Sequence, residues 1–131
     1  NQLLAEIDGI AGQRGVFLIG ATNRPDQLDP AILRGGRLSR TIVLGLPDEE
    51  GRRKILALHT ARMPTVGVQF DELARATEGM SPADLKALAQ EAALAAMARD
   101  ASAETPAVTH EDFEEALGRL REGRAPTAAA F

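Results

Sequence analysis

The residues best suited to chemistry lie in one short stretch, between positions 20 and 40. Asn23 follows a short apolar run, and two arginines, Arg37 and Arg40, stand three residues apart. Ligands of open α/β sheets bind at the carboxyl ends of strands, which is where Asn23 would lie. A guanidinium group forks onto phosphate oxygens, so the arginines suit a phosphate ligand. The alternative is that Asn23 only begins a turn and that both arginines are solvated.

The elements around this stretch are predicted to be a helix and two strands. Apolar residues at helical spacing predict a helix over about 3–10. The short apolar runs at 16–20 and 41–44 predict strands, and the first has the β-branched character of a strand buried on both faces. Between them, Asp29 as N-cap followed by Pro30 predicts a short helix.

Beyond a boundary at Gly45-Leu46-Pro47, the chain is predicted to form four amphipathic helices. Asp48, Ser81 and Thr109 are suitable N-caps for the first, third and fourth helices. The tail from Gly123 is rich in Ala, Pro and Thr and is predicted to be flexible. The residues expected to face inward are, in chain order, Ile55, Leu58 and His59; Phe70, Leu73, Ala74 and Thr77; Leu85, Leu88, Ala92 and Ala96; Phe113, Ala116, Leu117 and Leu120.

Composition narrows the classes of function. The 131 residues include no cysteine, which excludes disulfides, cysteine zinc sites and thiol nucleophiles. A net charge of −4 and an aromatic content of 3% argue against a nucleic-acid surface and against base stacking. No apolar run approaches the roughly 20 residues that span a bilayer, and no signal-peptide pattern opens the chain. We therefore expect no nucleic-acid partner, no membrane segment, no metal ligands in this chain and a cytoplasmic location.

The order of these residues closely resembles the second region of homology of AAA+ ATPases, in the branch that includes valosin-containing protein. The shared pattern is a strand, then ATNRPD, then LDPA, then an arginine pair. It continues in the GLPD sequence at 45–48, in His59 and in the GMSPADL sequence at 79–85. The resemblance covers essentially residues 1–120.

This resemblance implies catalytic roles for three residues. Asn23 is similar to sensor 1, which helps to orient the attacking water beside the γ-phosphate. Arg37 and Arg40 resemble arginine fingers, which reach the nucleotide of the neighbouring subunit and stabilise charge on the transferred phosphoryl group. The DGI sequence at 8–10 resembles the intersubunit signalling segment, although Asp-Gly is also an ordinary helix stop.

Three further residues are implied to contact the nucleotide base. His59 is similar to the histidine that packs near the adenine and ribose, and the alternative for it is a place in the core. Gly79 and Ala83 resemble the sensor 2 region, which in this branch contacts the base through small residues. Ser81 and Asp84 are expected to cap their helix whether or not nucleotide binds.

Two departures from the family pattern bear on these roles. The family has an acidic residue between the arginines, where this chain has Leu38-Ser39, so a partner for a neighbouring arginine is lost. Pro82 replaces the usual glycine, and proline suits the first position of a helix. Neither the P-loop lysine nor the Walker B acids are found in the sequence, since neither Lys54 nor Lys86 lies in a GxxxxGK[ST] pattern.

The resemblance implies a fold class, an α/β remnant of a parallel P-loop-type sheet followed by an all-α four-helix lid subdomain. Residues 1–45 would be the C-terminal part of the large ATPase subdomain, 46–121 the lid and 122–131 a flexible tail. In the family sheet the P-loop strand separates the strands at 16–20 and 41–44. We therefore expect both segments to lack their partner within this chain.

The implied function is that of the C-terminal part of an ATP hydrolase, which remodels or unfolds protein substrates in a homohexameric ring. ATP and Mg²⁺ are the implied cofactors, with the magnesium ligands outside this chain, and this segment alone is expected to be inactive. One alternative is a non-enzymatic assembly or interaction domain derived from such a module. Another is the ATPase part of a membrane-anchored zinc protease, although no HExxH pair precedes Phe131.

Overall fold

The computed structural model describes residues 2–124, and the chain divides into two compact units, Asn1–Leu44 and Gly45–Phe131. The first unit contains helix α1 and two short 3₁₀ helices, and the second contains four helices and a pair of short strands. In the first unit, α1 is Gln2–Ala11 and the 3₁₀ helices are Pro25–Gln27 and Pro30–Leu33. In the second unit the elements are α2 (Glu49–Thr60), β1 (Thr65–Val66), α3 (Phe70–Ala76), α4 (Pro82–Arg99), β2 (Val108–Thr109) and α5 (His110–Arg124).

The mostly helical architecture confirms the predicted fold class. Each of the four helices predicted beyond the boundary is present, and α4 lies between α2 and α5, with α3 packed on α2. The core of the second unit is one apolar cluster: Leu56, Leu73, Met80, Leu85, Leu88, Ala89, Ala92, Ala96, Val108, Phe113, Ala116 and Leu117. Three of its four alanines lie along α4, where small side chains let the neighbouring helices approach closely.

The helix starts follow the predicted caps. Asp48 accepts a hydrogen bond from the Gly51 amide at 2.8 Å. Ser81 and Asp84 form a reciprocal capping box at the start of α4, with backbone-to-side-chain distances of 3.2 and 2.9 Å. Such caps accept hydrogen bonds from backbone amides that have no partner within the helix. Each cap stabilises the fold by about 1 kcal/mol.

The inward face of α2 corrects the sequence prediction. Leu58, expected to face inward, is 70% exposed, whereas Arg52, Leu56 and Thr60 are buried. These three residues recur every four positions and form the stripe beside the predicted one. Arg52 was left out of the predicted face because a charged residue is rarely fully buried.

The second unit also holds a strand pair that the sequence analysis missed. β1 and β2 are parallel, with Thr65 opposite Val108 and Val66 opposite Thr109. At two residues each, these strands are too short to show the alternation by which strands are predicted.

At the other end of the unit, α5 continues through Arg124, so residues 122–124, predicted as tail, are helical. The remainder of the predicted tail, 125–131, lies outside the described residues.

The two strands predicted in the first unit are not formed. Segments 16–20 and 41–44 have no strand assignment and make no backbone hydrogen bonds to each other within residues 2–124. The side chains of segment 16–20 are not buried as predicted, since Phe17 is 91% and Ile19 is 90% exposed, and Leu44 in the other segment is 90% exposed. A strand exists only when a neighbour accepts and donates its backbone hydrogen bonds, and the described part of the chain offers these segments no such neighbour.

Candidate functional site

Arg37, one of the predicted phosphate-binding arginines, is held at three of its N–H groups. Its Nε donates to Asp8 Oδ1 at 2.7 Å and its Nη2 donates to Asp8 Oδ2 at 2.8 Å, which is a bidentate ion pair. Its Nη1 donates to the Ala31 carbonyl at 3.0 Å. A guanidinium carries five N–H donors, so two are left for another acceptor. The geometry fixes the orientation of Arg37 while leaving it able to bind an anion.

The ion pair shifts the pKa values of both Asp8 and Arg37 in the directions expected for opposite charges. The hydrogen bonds from Arg37 hold the pKa of Asp8 below its ordinary value, against a smaller opposing effect of desolvation. The same bonds raise the pKa of the Arg37 guanidinium. Both groups are therefore charged at neutral pH. Sequence analysis singled out Asp8 and Arg37 separately but did not pair them, because 29 positions separate them in the chain.

A local turn brings Arg37 back to its position beside Asp8. Gly35 and Gly36 both have positive φ angles, of 63° and 75°, which side chains with a Cβ rarely adopt. The turn they form lets the Leu38 amide donate to the Ile32 carbonyl at 3.0 Å. A Cβ at position 20 would lie 2.9 Å from Leu38 Cδ1, so Gly20 allows that side chain to pack against the backbone.

The other two residues predicted to be catalytic are exposed. Asn23 lies in a bend after the first apolar segment, next to Thr22, whose Oγ1 accepts the Arg24 amide at 3.0 Å. Arg40 is exposed and forms no salt bridge with any residue in the described range. No hydrogen bond joins Asn23, Arg37 and Arg40 to one another in the part of the chain that the structure describes.

The three residues implied to contact a base lie on two features of the second unit. His59 is in the last turn of α2 and is half-buried, flanked by the exposed Leu58 and the buried Thr60. Gly79 follows α3 with a positive φ of 81°, and a Cβ there would meet no atom within 4 Å. Ala83 is exposed in the first turn of α4. Gly79 and Ala83 thus present an open surface of small residues at the start of a helix.

Each of the two units contains a segment that matches a known family model. Residues 1–46 match the family model for the ATPase family associated with various cellular activities (AAA), and residues 67–115 match the AAA+ lid domain. The chain belongs to the AAA+ ATPase family. Within this AAA+ chain, Arg37 and Arg40 lie in the part that matches the ATPase model, and Gly79 and Ala83 lie in the part that matches the lid.

Relatives of several kinds resemble the AAA+ chain to the same degree. It is 48% identical to an ATP-dependent zinc metalloprotease FtsH of Neorickettsia risticii over 94% of its length. It is 48% identical to a cell division cycle protein 48 homologue of Archaeoglobus fulgidus over 91% of its length. It is 50% identical to a proteasome-activating nucleotidase of Pyrococcus horikoshii, also over 91%. The chain spans only 19%, 18% and 29% of these three proteins, respectively.

Among residues 2–124, no helix has both the length and the apolar character needed to cross a bilayer. No group of three or more His, Cys, Asp or Glu side chains there could hold a metal ion.

The second unit contains a buried arginine that sequence analysis missed. Arg52 is only 6% exposed, and its Nε donates to the Ala74 carbonyl at 2.8 Å. Its Nη1 donates to the Pro47 carbonyl at 3.0 Å. The signal in the sequence is its spacing of four from Leu56 and eight from Thr60, which places it on the buried stripe of α2.

A second buried ionic group fastens the end of α4 to the start of α5. Asp112, which is 2% exposed, accepts from Arg99 Nε at 3.1 Å and Arg99 Nη2 at 3.0 Å. It also accepts the Thr109 amide at 2.9 Å, and Thr109 Oγ1 in turn accepts the Asp112 amide at 3.3 Å. The hydrogen bonds from Arg99 are the main cause that lowers the pKa of Asp112. The predicted capping box is thus formed, with an arginine added to it.

Proposed function

We propose that this chain is the C-terminal part of an ATP-hydrolysing AAA+ module that works in a homohexameric ring on protein substrates. Residues 1–45 contribute to the large ATPase subdomain, and 46–121 form the lid. The family match supports the ATPase assignment. The ring, the protein substrates and a cytoplasmic location are the further parts of the proposal, and the proteasome-activating relatives support an action on proteins.

The observation that carries the proposal is the way Asp8 holds Arg37. An arginine finger must be aimed before the transition state forms, because reorganising a donor at that moment costs free energy. A bidentate carboxylate and the Ala31 carbonyl fix the guanidinium plane while two N–H groups stay unused. In this chain Asp8 supplies a carboxylate to an arginine, although Ser39 stands where the family has an acid.

The residues present fit a nucleoside triphosphate in part. Arg37 and Arg40 supply guanidinium donors for phosphate oxygens, and the Asn23 amide can hold a water. His59, Gly79 and Ala83 are the proposed contacts to the base. Mg²⁺, when bound with ATP, neutralises charge on the phosphates, and its ligands and the P-loop lysine belong to sequence that this chain does not contain.

The chain by itself is therefore proposed to be inactive. Without a P-loop lysine or Walker B acids it has neither the phosphate cradle nor the magnesium ligand of phosphoryl transfer. Purified chain should release no phosphate from ATP above the buffer background. Steady release that persists through further purification would contradict this.

The test of the finger is Arg37→Ala in the full-length protein that contains this chain. Turnover should fall about a thousandfold, because the interaction is made only in the transition state. Nucleotide affinity should change by less than about threefold. The matched control is Arg34→Ala, a neighbouring exposed arginine with no side-chain hydrogen bond or ion pair in residues 2–124, and it should leave turnover within about twofold.

Mixed rings separate action in trans from action in cis. Combining Arg37→Ala subunits with subunits that cannot bind nucleotide should restore some activity, at interfaces where an intact Arg37 meets a loaded neighbour. The proposal is wrong if Arg37→Ala weakens ATP binding while turnover per bound site stays normal.

A second candidate is the ATPase part of a zinc metalloprotease. It is favoured by the FtsH relative of Neorickettsia risticii, whose identity of 48% equals that of the Cdc48 homologue. Zinc analysis and a casein-degradation assay on the full-length protein distinguish the two. Stoichiometric zinc with ATP-dependent proteolysis supports the protease, and ATP hydrolysis without either supports the remodelling ATPase.

A further inference from the structure

Arg52 is a buried cation that has no carboxylate partner among residues 2–124. Its two described hydrogen bonds go to backbone carbonyls, those of Pro47 and Ala74. Burying a charge is costly unless its donors are well satisfied. An apolar side chain would fill the same space more cheaply, so the placement of a guanidinium here calls for an explanation beyond packing.

The two carbonyls belong to segments that no other described hydrogen bond joins. Pro47 precedes the Asp48 N-cap, in the segment by which the chain enters the lid. Ala74 lies in the last turns of α3, where the carbonyls form the negative end of the helix dipole and attract a cation, and its carbonyl also accepts from Thr77 Oγ1 at 3.3 Å. Thr77 Oγ1 donates to the Leu73 carbonyl at 2.7 Å and reinforces the same end of α3.

The end of α3 leads directly into the open surface formed by Gly79 and Ala83. The Met80 amide donates to the Thr77 carbonyl at 3.0 Å, which closes the turn around Gly79. Met80 is buried, and Ser81 then begins the capping box of α4. A displacement of the end of α3 is therefore passed on to Gly79 and Ala83 through a short and well-bonded stretch of backbone.

We propose that Arg52 is a positioning residue that couples the entry segment at Pro47 to the turn that carries Gly79. The functional part of this inference rests on the proposed function, in which Gly79 and Ala83 contact the base. The planar fork of arginine reaches two carbonyls in fixed directions, which neither a lysine nor an apolar residue does.

Three variants separate coupling from simple packing. Arg52→Met keeps an unbranched stem in the core but removes both hydrogen bonds. Arg52→Lys keeps the charge but donates from a single nitrogen, so it does not reproduce the two fixed directions of the guanidinium fork. The matched control is Arg53→Met, because Arg53 is half-exposed, bonds Glu50 at 2.8 Å and lies 3.8 Å from Asp71 at the other end of α3.

Amide hydrogen exchange on the 131-residue chain gives the first readout. The Gly51 amide, bonded to Asp48, reports on the entry segment, and the Thr77 and Met80 amides report on the end of α3. In Arg52→Met both sets should exchange about tenfold faster, since each loses a hydrogen bond to a charged group nearby. The Leu88 and Ala92 amides of α4 should change by less than about twofold, as should all of these amides in Arg53→Met.

Several outcomes would overturn the coupling. Faster exchange at one end only would show that Arg52 serves that end alone, and a uniform loss that includes Leu88 would show a general packing role. If Arg52→Met does not fold, Arg52→Lys decides: protection at both ends equal to that of the unsubstituted chain would overturn the inference, and loss at one or both ends would support it.

The full-length protein gives a second readout that separates this inference from the proposed function. Arg52→Met should weaken nucleotide affinity about tenfold and leave turnover at saturating ATP within about twofold, the reverse of Arg37→Ala. Arg52→Lys should restore part of the affinity. If Arg37→Ala fails as a finger while exchange still changes at both ends in Arg52→Met, the proposed function is wrong and the coupling stands. Unchanged affinity with changed exchange overturns only the functional part of the inference.

Discussion

Two phenylalanines show how differently the two units of this AAA+ chain treat their apolar residues. Phe113 in the lid is fully buried, whereas Phe17 in the first unit is 91% exposed. Both lie in segments whose apolar residues are equally evident in the sequence. The difference is that a helix satisfies its own backbone and needs only one covered face, whereas a strand must also find neighbours for its hydrogen bonds. The lid carries its partners within the chain, whereas segments 16–20 and 41–44 have no strand partner among residues 2–124.

The largest consequence of this contrast should appear in hydrogen exchange. Amides of Val16 to Ile19 should exchange roughly a thousandfold faster than those of Leu85 to Ala96 in dilute monomer, because only the latter open with the folded core. The measurement is exchange followed by NMR or mass spectrometry at low protein concentration. Equal protection in the two segments would show that the first unit satisfies its backbone without a further strand.

Truncating the two phenylalanines tests the same contrast by stability. Phe113→Ala should lower the free energy of unfolding by about 4 kcal/mol, because it leaves a cavity in the core of the lid. Phe17→Ala should change it by less than about 0.5 kcal/mol. Urea unfolding followed by far-ultraviolet circular dichroism gives both values. A large effect of Phe17→Ala would mean that its side chain is covered in solution.

A pair of aspartates extends the comparison to ionic groups. Asp112 and Asp8 each accept a bidentate arginine, but their side chains are 3% and 53% exposed. Asp112→Ala should cost about 2 kcal/mol, since it removes the cap of α5 and the anchor of Arg99. Glu115→Ala, which removes only the exposed partner of Arg119, is the control and should cost less than about 0.5 kcal/mol.

Asp112 should also make the stability of the lid depend on pH. The pKa of Asp112 is lowered from its ordinary value of 3.8 in the folded chain, mainly by Arg99. A lowered pKa stabilises the fold above the unfolded value, and the contribution is lost as the pH falls through the folded pKa. Stability should therefore decline below about pH 4, and Asp112→Asn should show a shallower decline in urea unfolding at a series of pH values. An unchanged slope would show that other carboxylates dominate the decline.

The smallest expected effect is that of Asp8 on stability. Asp8→Ala should change the free energy of unfolding by less than about 0.5 kcal/mol, because an exposed ion pair is screened by water and salt. Its consequence should appear instead as faster exchange of the Arg37 Nε proton, seen by NMR, relative to the same proton in Arg34. A loss of stability as large as that of Asp112→Ala would place Asp8 in a covered environment.

Features set by residues close together in the sequence could be predicted, whereas features that depend on distant residues could not. The caps at Asp48, Ser81 and Thr109 are set by residues three positions apart, and all three are formed. The pairing of Asp8 with Arg37 depends on the Gly35-Gly36 turn, whose direction no local pattern specifies. Arg52 was missed because a charged residue is not expected on the buried stripe of α2. Its burial is compensated by hydrogen bonds to two backbone carbonyls.

The short parallel strand pair in the second unit also bears on the order of events in folding. Thr65 on β1 meets Val108 on β2, so their pairing closes a loop that contains all of α3 and α4. Closing so long a loop for two residues of strand gains little until the helices inside it have packed, so the pair should form after the transition state. Substituting Val108 with Ala should then speed unfolding and leave the folding rate almost unchanged. We therefore expect this two-stranded sheet to form last in folding and to open first in unfolding.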